Sequence, residues 1–345
     1  MPSKRAFILL LVLIGLVCHH LAADDTKIPG KHVLIQEGAT LLVQDPDGTN
    51  RRKIAEKVDA AALSPDANLV AYVAGEAVLV FSLLDGQSVT VAHLDDGSVN
   101  NLAWSPDQKH LAYDMGTRMK SWDLFLASYP PAGDAPRNLG HWYESLSFSP
   151  NGKFIVHPAF DSTGASGPPN ILETVNVETG KRETICKGIT TIWDAKYSPD
   201  GSSIAFIMTD PEDDASERDS GGVVSDLWIL RLDSKKAVKI MADVIDFEWS
   251  PDGRSLAISK GSEENGEYPP DDAAVFISSV DGKDQFQISQ DAPSLRAKFS
   301  PDSKEVIFVE FNAYRFVIAD LATRKLTPLP AYGSRNYGSS VYDWK

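Results

Sequence analysis

The sequence predicts an all-β fold assembled from repeated four-stranded sheets, and three observations predict it. Ser-Pro followed by Asp or Asn recurs six times, at Ser64, Ser105, Ser149, Ser198, Ser250 and Ser300, far more often than average residue usage allows by accident. The copies lie 41, 44, 49, 52 and 50 residues apart, a period that fits a unit of four strands. The flanks keep strand register around every copy. A large apolar residue or leucine precedes each serine (Leu63, Trp104, Phe148, Tyr197, Trp249, Phe299). Six residues after it stands Val70, Leu111, Ile155, Ile204, Leu256 or Val306, and two further on Tyr72, Tyr113, His157, Phe206, Ile258 or Phe308. That alternation marks one face of a strand.

The first element to justify is the turn. Pro pre-sets the first central dihedral of a type I turn, Asp tolerates the second, and Gly suits the last position. The serine hydroxyl is placed to accept a local backbone hydrogen bond. Gly152, Gly201 and Gly253 keep the glycine, whereas Ala67, Gln108 and Ser303 replace it. No helix follows any copy, so the turn joins two strands and is not a phosphate-binding loop. The strand before it is named A and the strand after it B.

Strands C and D come next. "AVLVFSLLDG", "DLWILRLDS" and "AAVFISSVDG" each end in Asp-Gly or Asp-Ser, a hairpin signal. Third strands end near Gly86, Gly180 and Gly282, and short fourth strands such as "KAVKIM" follow.

The chain ends supply one more unit. "GKHVLIQEG" (30–38) aligns with "SKEVIFVEF" (303–311), placing Val33, Leu34 and Ile35 over Val306, Ile307 and Phe308. "LVQDPDG" then matches "FISSVDG", and "RRKIAE" supplies a fourth strand. At the other end "SVYDWK" reads as a strand A, with Trp344 in the large apolar slot. One C-terminal strand joined to three N-terminal strands removes the exposed edges of the ring. The expectation is a seven-bladed β-propeller; six blades is the alternative.

Residues 1–23 stand outside this pattern. Lys4 and Arg5 precede the apolar run "AFILLLVLIGLV", and Ala22 and Ala23 follow, which reads as a signal peptide cleaved near Ala23. A lipoprotein signal ending at Cys18 competes, but Val17 is a poor small residue before such a cysteine; an uncleaved anchor is the third reading. The propeller then occupies 24–345. Losing Lys4 and Arg5 takes the formal charge from −15 to −17. So acidic a surface repels nucleic acid phosphates and anionic lipid heads. Cys186 alone survives cleavage, so no internal disulfide forms, and it reads as a small buried apolar residue.

The repeat "W/F/Y-S-P-D-G-x-x-[hydrophobic]-A-[aromatic]" resembles the WD40-like propeller repeats of the TolB type, which are similar to the propellers of prolyl oligopeptidases. The resemblance covers essentially the whole mature chain and implies a propeller that binds other envelope components. TolB-like proteins carry an N-terminal α/β domain, whereas strands here begin at about Lys31. The Tol–Pal role is therefore not carried over.

In a four-stranded blade the A–B and C–D turns share one face, and the B–C and D–A loops share the other. The Ser-Pro-Asp turns decorate the first face uniformly, whereas the second is uneven. Its B–C loops are minimal in blades one, six and seven but long in three consecutive blades: "AFDSTGASGPP", "TDPEDDASERDSGGVVS" and "KGSEENGEYPPDD". The last two carry eleven acidic residues. Adjacent long loops on a rigid ring form a binding wall or a solvated fringe. The D–A loops bring His141, Trp142 and Tyr143, and Tyr332, Arg335 and Tyr337; Trp193 and Asp194 begin strand A of blade four. Aromatics with one Arg around a funnel mouth suit a sugar, a peptide or a protein loop. Trp104 and Trp249 belong to the core.

Catalytic constellations are sparse. There is no Gly-x-Ser-x-Gly. His32, His93, His110, His141 and His157 show no paired metal spacing. "DPDG" at 45–48 lacks the later acid of a calcium loop. No cofactor and no metal is expected. The reading is a monomeric, non-catalytic binding or scaffolding module, periplasmic or secreted, whose partner is an envelope protein, peptide or glycan. The alternative is a small polysaccharide lyase or hydrolase at the channel mouth, since oligogalacturonate lyases use a histidine-bound metal in a propeller channel. Convergence in the channel of three or more of His, Asp, Glu and Arg would favour it.

Overall fold

The computed structural model describes residues 32–94, 97–117, 122–141, 145–160, 170–187, 190–209, 225–261, 269–291, 293–331 and 340–345. These residues form seven antiparallel sheets, each with a four-stranded A–D core, and contain no helix. Blades one to six occupy residues 58–93, 97–141, 147–187, 192–241, 244–287 and 294–328. Their A strands are Val58–Leu63, Leu102–Trp104, Ser147–Phe148, Ile192–Tyr197, Val244–Trp249 and Ser294–Phe299. The seventh blade runs Ser340–Trp344, Val33–Glu37, Thr40–Gln44, Arg52–Glu56 in spatial order. Closure by the C-terminal strand is as the repeat predicts. Val33 pairs with Trp344, as Val306 pairs with Phe299 in blade six, so the register matches too. His32 and Lys345 exchange backbone hydrogen bonds (2.5 and 3.0 Å), and the Tyr342 hydroxyl donates to Gln36 (2.6 Å).

The core lies between blades. Alternate strand residues point to opposite sheet faces, so each blade packs against both neighbours. Val70 and Tyr72 meet the seventh blade, while Ala71 and Val73 meet the second. Seven such clusters occur, one at every junction, including the junctions of blade seven with blades six and one. Seven junctions for seven blades describe a closed ring.

The six turns are built alike. Each serine is buried, from 0 to 4% exposed. Its hydroxyl donates to the Asp or Asn two residues on, at 2.6–2.8 Å. It also accepts the amide five residues on, at 2.9–3.0 Å, and its carbonyl closes the turn at 2.8–2.9 Å. The fourth turn residue has left-handed φ throughout, 58–59° at Ala67, Gln108 and Ser303 and 68–71° at the three glycines. A side chain is strained there, which explains the glycine.

Candidate functional site

The A strands line a central channel, and one column of residues dominates its wall. Trp104 and Trp249, in the slot directly before the turn serine, are buried. Their indoles donate to the carbonyls of Ala62 and Lys196 in the preceding blade (3.3 and 3.2 Å). By alternation the next residue back faces elsewhere. That column reads Ala62, Ala103, Ser147, Lys196, Glu248, Lys298, with Asp343 in the seventh blade. All seven line one cavity of about 760 Å³ on the Ser-Pro face, rimmed by five of the six turn prolines.

The charges sit on blades four to seven and hold one another. The Lys196 ammonium donates to the Phe247 carbonyl (2.6 Å) and lies 3.4 Å from Asp194 and 3.5 Å from Glu248. Lys298 bonds the same Glu248 oxygen. The side chains of Lys196, Glu248 and Lys298 keep 26, 25 and 26% exposure, so the channel wets them. Burial pushes the Glu248 carboxyl up, but Lys196 and Lys298 outweigh it and hold it at about 2. Burial lowers Lys196, yet Asp194, Glu248 and Asp246 leave it above the usual lysine range. Asp246 goes the other way: burial raises it despite Lys196 and a 2.9 Å hydrogen bond from Ser259. Lys345 spans to blade one, pairing with Asp343 (2.9 Å) and donating to the Leu63 carbonyl (2.8 Å).

A second cavity, about 480 Å³, opens on the loop face and shares Lys196 with the first. Trp193 and Asp194, singled out from the sequence, lie on its wall beside Asn100, Asn101, Ser145 and Ser225. Asp114, 2% exposed, fixes the asparagine corner. It accepts the amides of Asn100 and Asn101 at 2.8 Å and the Asn101 side chain at 2.6 Å. The Trp193 indole donates to Thr209 Oγ1 (3.2 Å).

His141 is not brought to either cavity. It ends strand D of blade two, 82% exposed, with Nδ1 3.0 Å from Asp123. Trp142, Tyr143, Tyr332, Arg335 and Tyr337 lie outside the described residues, as does most of the three long loops. His157 is buried, with Nε2 3.3 Å from Glu173. Cys186 is half-buried, and burial pushes its thiol up. Among the described residues no three of His, Cys, Asp and Glu are grouped to hold a metal. Sequence reasoning missed Lys196, Asp246, Glu248, Lys298 and the Asn100–Asn101 corner. The column two residues before each serine was the available signal.

No protein-family model matches the chain, and a search of curated proteins found no relative. Solved structures do resemble it. A TolB-type protein from Agrobacterium tumefaciens is 17% identical with a TM-score of 0.52, over 75% of this chain and 88% of that one. TolB from Acinetobacter baumannii is 16% identical with a TM-score of 0.53, over 91% of this chain and 66% of that one. An oligogalacturonate lyase from Vibrio parahaemolyticus is 13% identical with a TM-score of 0.61, over 86% of each chain. At such identities the likeness concerns architecture: the chain has the fold of the TolB-type and related β-propellers.

Proposed function

We propose that this chain is an exported, non-catalytic propeller that binds an envelope protein, an extracellular peptide or a glycan at the channel mouth on the loop face. One observation carries the reading: among the described residues, Lys196, Glu248 and Lys298 on the channel wall are engaged with one another. A proton-transfer group works best with a pKa near the operating pH, whereas Glu248 is held at about 2 and Lys196 is held charged. Beside them, Trp193 and Asp194 line an open cavity. An aromatic with few placed polar groups on a concave wall is the usual composition of a binding site. The TolB-type neighbours share this fold, and no helix among the described residues is long and apolar enough to cross a membrane. The expected result is a partner captured from envelope extract by the wild type, lost with Trp193→Ala and kept with Trp193→Phe, which retains the ring's packing on the core between blades four and five. Equal capture by the wild type and Trp193→Ala would remove the loop-face mouth as the site.

A second reading is favoured by a specific arrangement. Asp194 and Glu248 lie 3.4 and 3.5 Å from Lys196, Asp246 acts on it electrostatically, and burial raises the Asp246 carboxyl. With the likeness to an oligogalacturonate lyase, this supports a polysaccharide lyase at the channel. Unsaturated product released from polygalacturonate, with or without divalent metal, and abolished by Asp246→Asn, would replace the binding reading.

A further inference from the structure

The wall of the loop-face cavity is specific enough to name a ligand class. Its polar lining consists of two amides (Asn100, Asn101), two hydroxyls (Ser145, Ser225), Asp194 and Lys196; the remainder is Trp193 and aliphatic side chains. We infer that this cavity is a subsite for an uncharged saccharide, with Trp193 as the platform for the sugar's C–H face and Asn100, Asn101, Asp194 and the serines as its hydrogen-bonding frame. The inference rests on the loop face being the binding face.

Three features carry it. The first is charge. Asp194 and Lys196 face each other at 3.4 Å, and Lys196 is further engaged by Glu248 and the Phe247 carbonyl. Among the described residues the wall therefore offers no surplus cation for a uronate, a phosphate or an acidic peptide, and burying a charge without a partner is costly. Second comes donor and acceptor balance. A sugar hydroxyl both donates and accepts; amides and hydroxyls do the same, and a carboxylate accepts. An aromatic ring meanwhile covers an apolar patch while its polar edge is satisfied, as the Trp193 indole is by Thr209.

The third feature is preorganisation. Asp114 clamps the Asn100–Asn101 corner with three hydrogen bonds. The Ser145 hydroxyl accepts the Ala195 amide at 2.9 Å. Groups already fixed lose little freedom when a ligand arrives. The volume, about 480 Å³, falls within the small-ligand range of roughly 300–1,000 Å³.

The test is an array of immobilised neutral glycans beside uronate-containing glycans, phosphorylated glycans and extended peptides, probed with the full chain. Hits are followed by saturation-transfer NMR and tryptophan fluorescence. Neutral glycans should bind, Trp193→Ala should weaken them by about tenfold or more, and Trp193→Phe should keep most of the affinity. Retention by Trp193→Phe at an unchanged melting temperature separates stacking from folding damage. Trp193-dependent binding of peptides or uronates, with none of neutral glycans, would overturn the saccharide inference and leave the loop-face reading standing. Silence on the whole array, together with envelope capture indifferent to Trp193→Ala, would sink both.

Discussion

Two adjacent residues of the same inner strand behave in opposite ways. The residue directly before the turn serine is large and apolar, or leucine, in every blade, and blade seven supplies Trp344. Its neighbour one step back is Ala, Ala, Ser, Lys, Glu, Lys and Asp around the ring. The first column packs between blades, where each junction poses the same steric problem and receives the same answer. The second faces the channel, where the apolar packing of the junctions does not require one residue type. It can therefore differ from blade to blade and even carry the charges that bridge blades four to six. Within a repeat protein, sameness marks scaffold and departure from the repeat marks the place where function can sit. Here the departures form an arc: charged on blades four to seven, small on blades one to three.

That contrast can be broken or sharpened by experiment. The largest effect should come from closure. Deleting "VYDWK" (341–345) removes Trp344, 3% exposed, and the Lys345–Asp343 link to blade one. Truncation should give insoluble protein or a steep fall in melting temperature, because one inner strand covers two junctions. A truncated chain melting within a degree or two of the full chain would refute the closure argument.

Next comes the turn. Ser250→Ala removes both the donation to Asp252 and the acceptor of the Ser255 amide at a fully buried site. Denaturant melts should show a loss of about 1–3 kcal/mol. Ala103→Ser, in the channel column of a different blade, should stay within about 0.5 kcal/mol. Equal losses at the two sites would erase the distinction between scaffold and wall.

The charged arc should respond to pH. Glu248 sits near 2 when folded against an ordinary 4.5. The unfolded chain therefore binds the proton more readily, and stability from this group is complete above pH 4.5 and drains away as pH falls towards 2. Glu248→Gln should flatten that part of the stability profile. At neutral pH it should cost only about 1 kcal/mol, since the site is wet. A profile identical to wild type across that window would show that the pairing contributes nothing.

The smallest expected effect is a gain. Ala67→Gly and Gln108→Gly relieve φ of 58–59°, offset in part by a more flexible unfolded chain. Each should add about 0.5 kcal/mol. A loss at both would mean that the replaced side chains make contacts worth more than the strain.

The sequence by itself determined the repeat, the turn, the strand register and the closure of the ring. Each rests on interactions that are local or identical from copy to copy. Ser250 reaches partners two and five residues away, and Val33 over Val306 needs only alternation to be read. Tertiary structure alone decided the site. Lys196, Glu248 and Lys298 lie about fifty residues apart in the chain, and only the rotation from blade to blade around a common axis brings their charges together. The same rotation placed Trp193 beside Asn100 and left His141 on the outer edge. Loop position names the face a residue belongs to, but distance from the axis depends on which strand carries it. A channel wall is therefore a property of the closed ring and of no single segment.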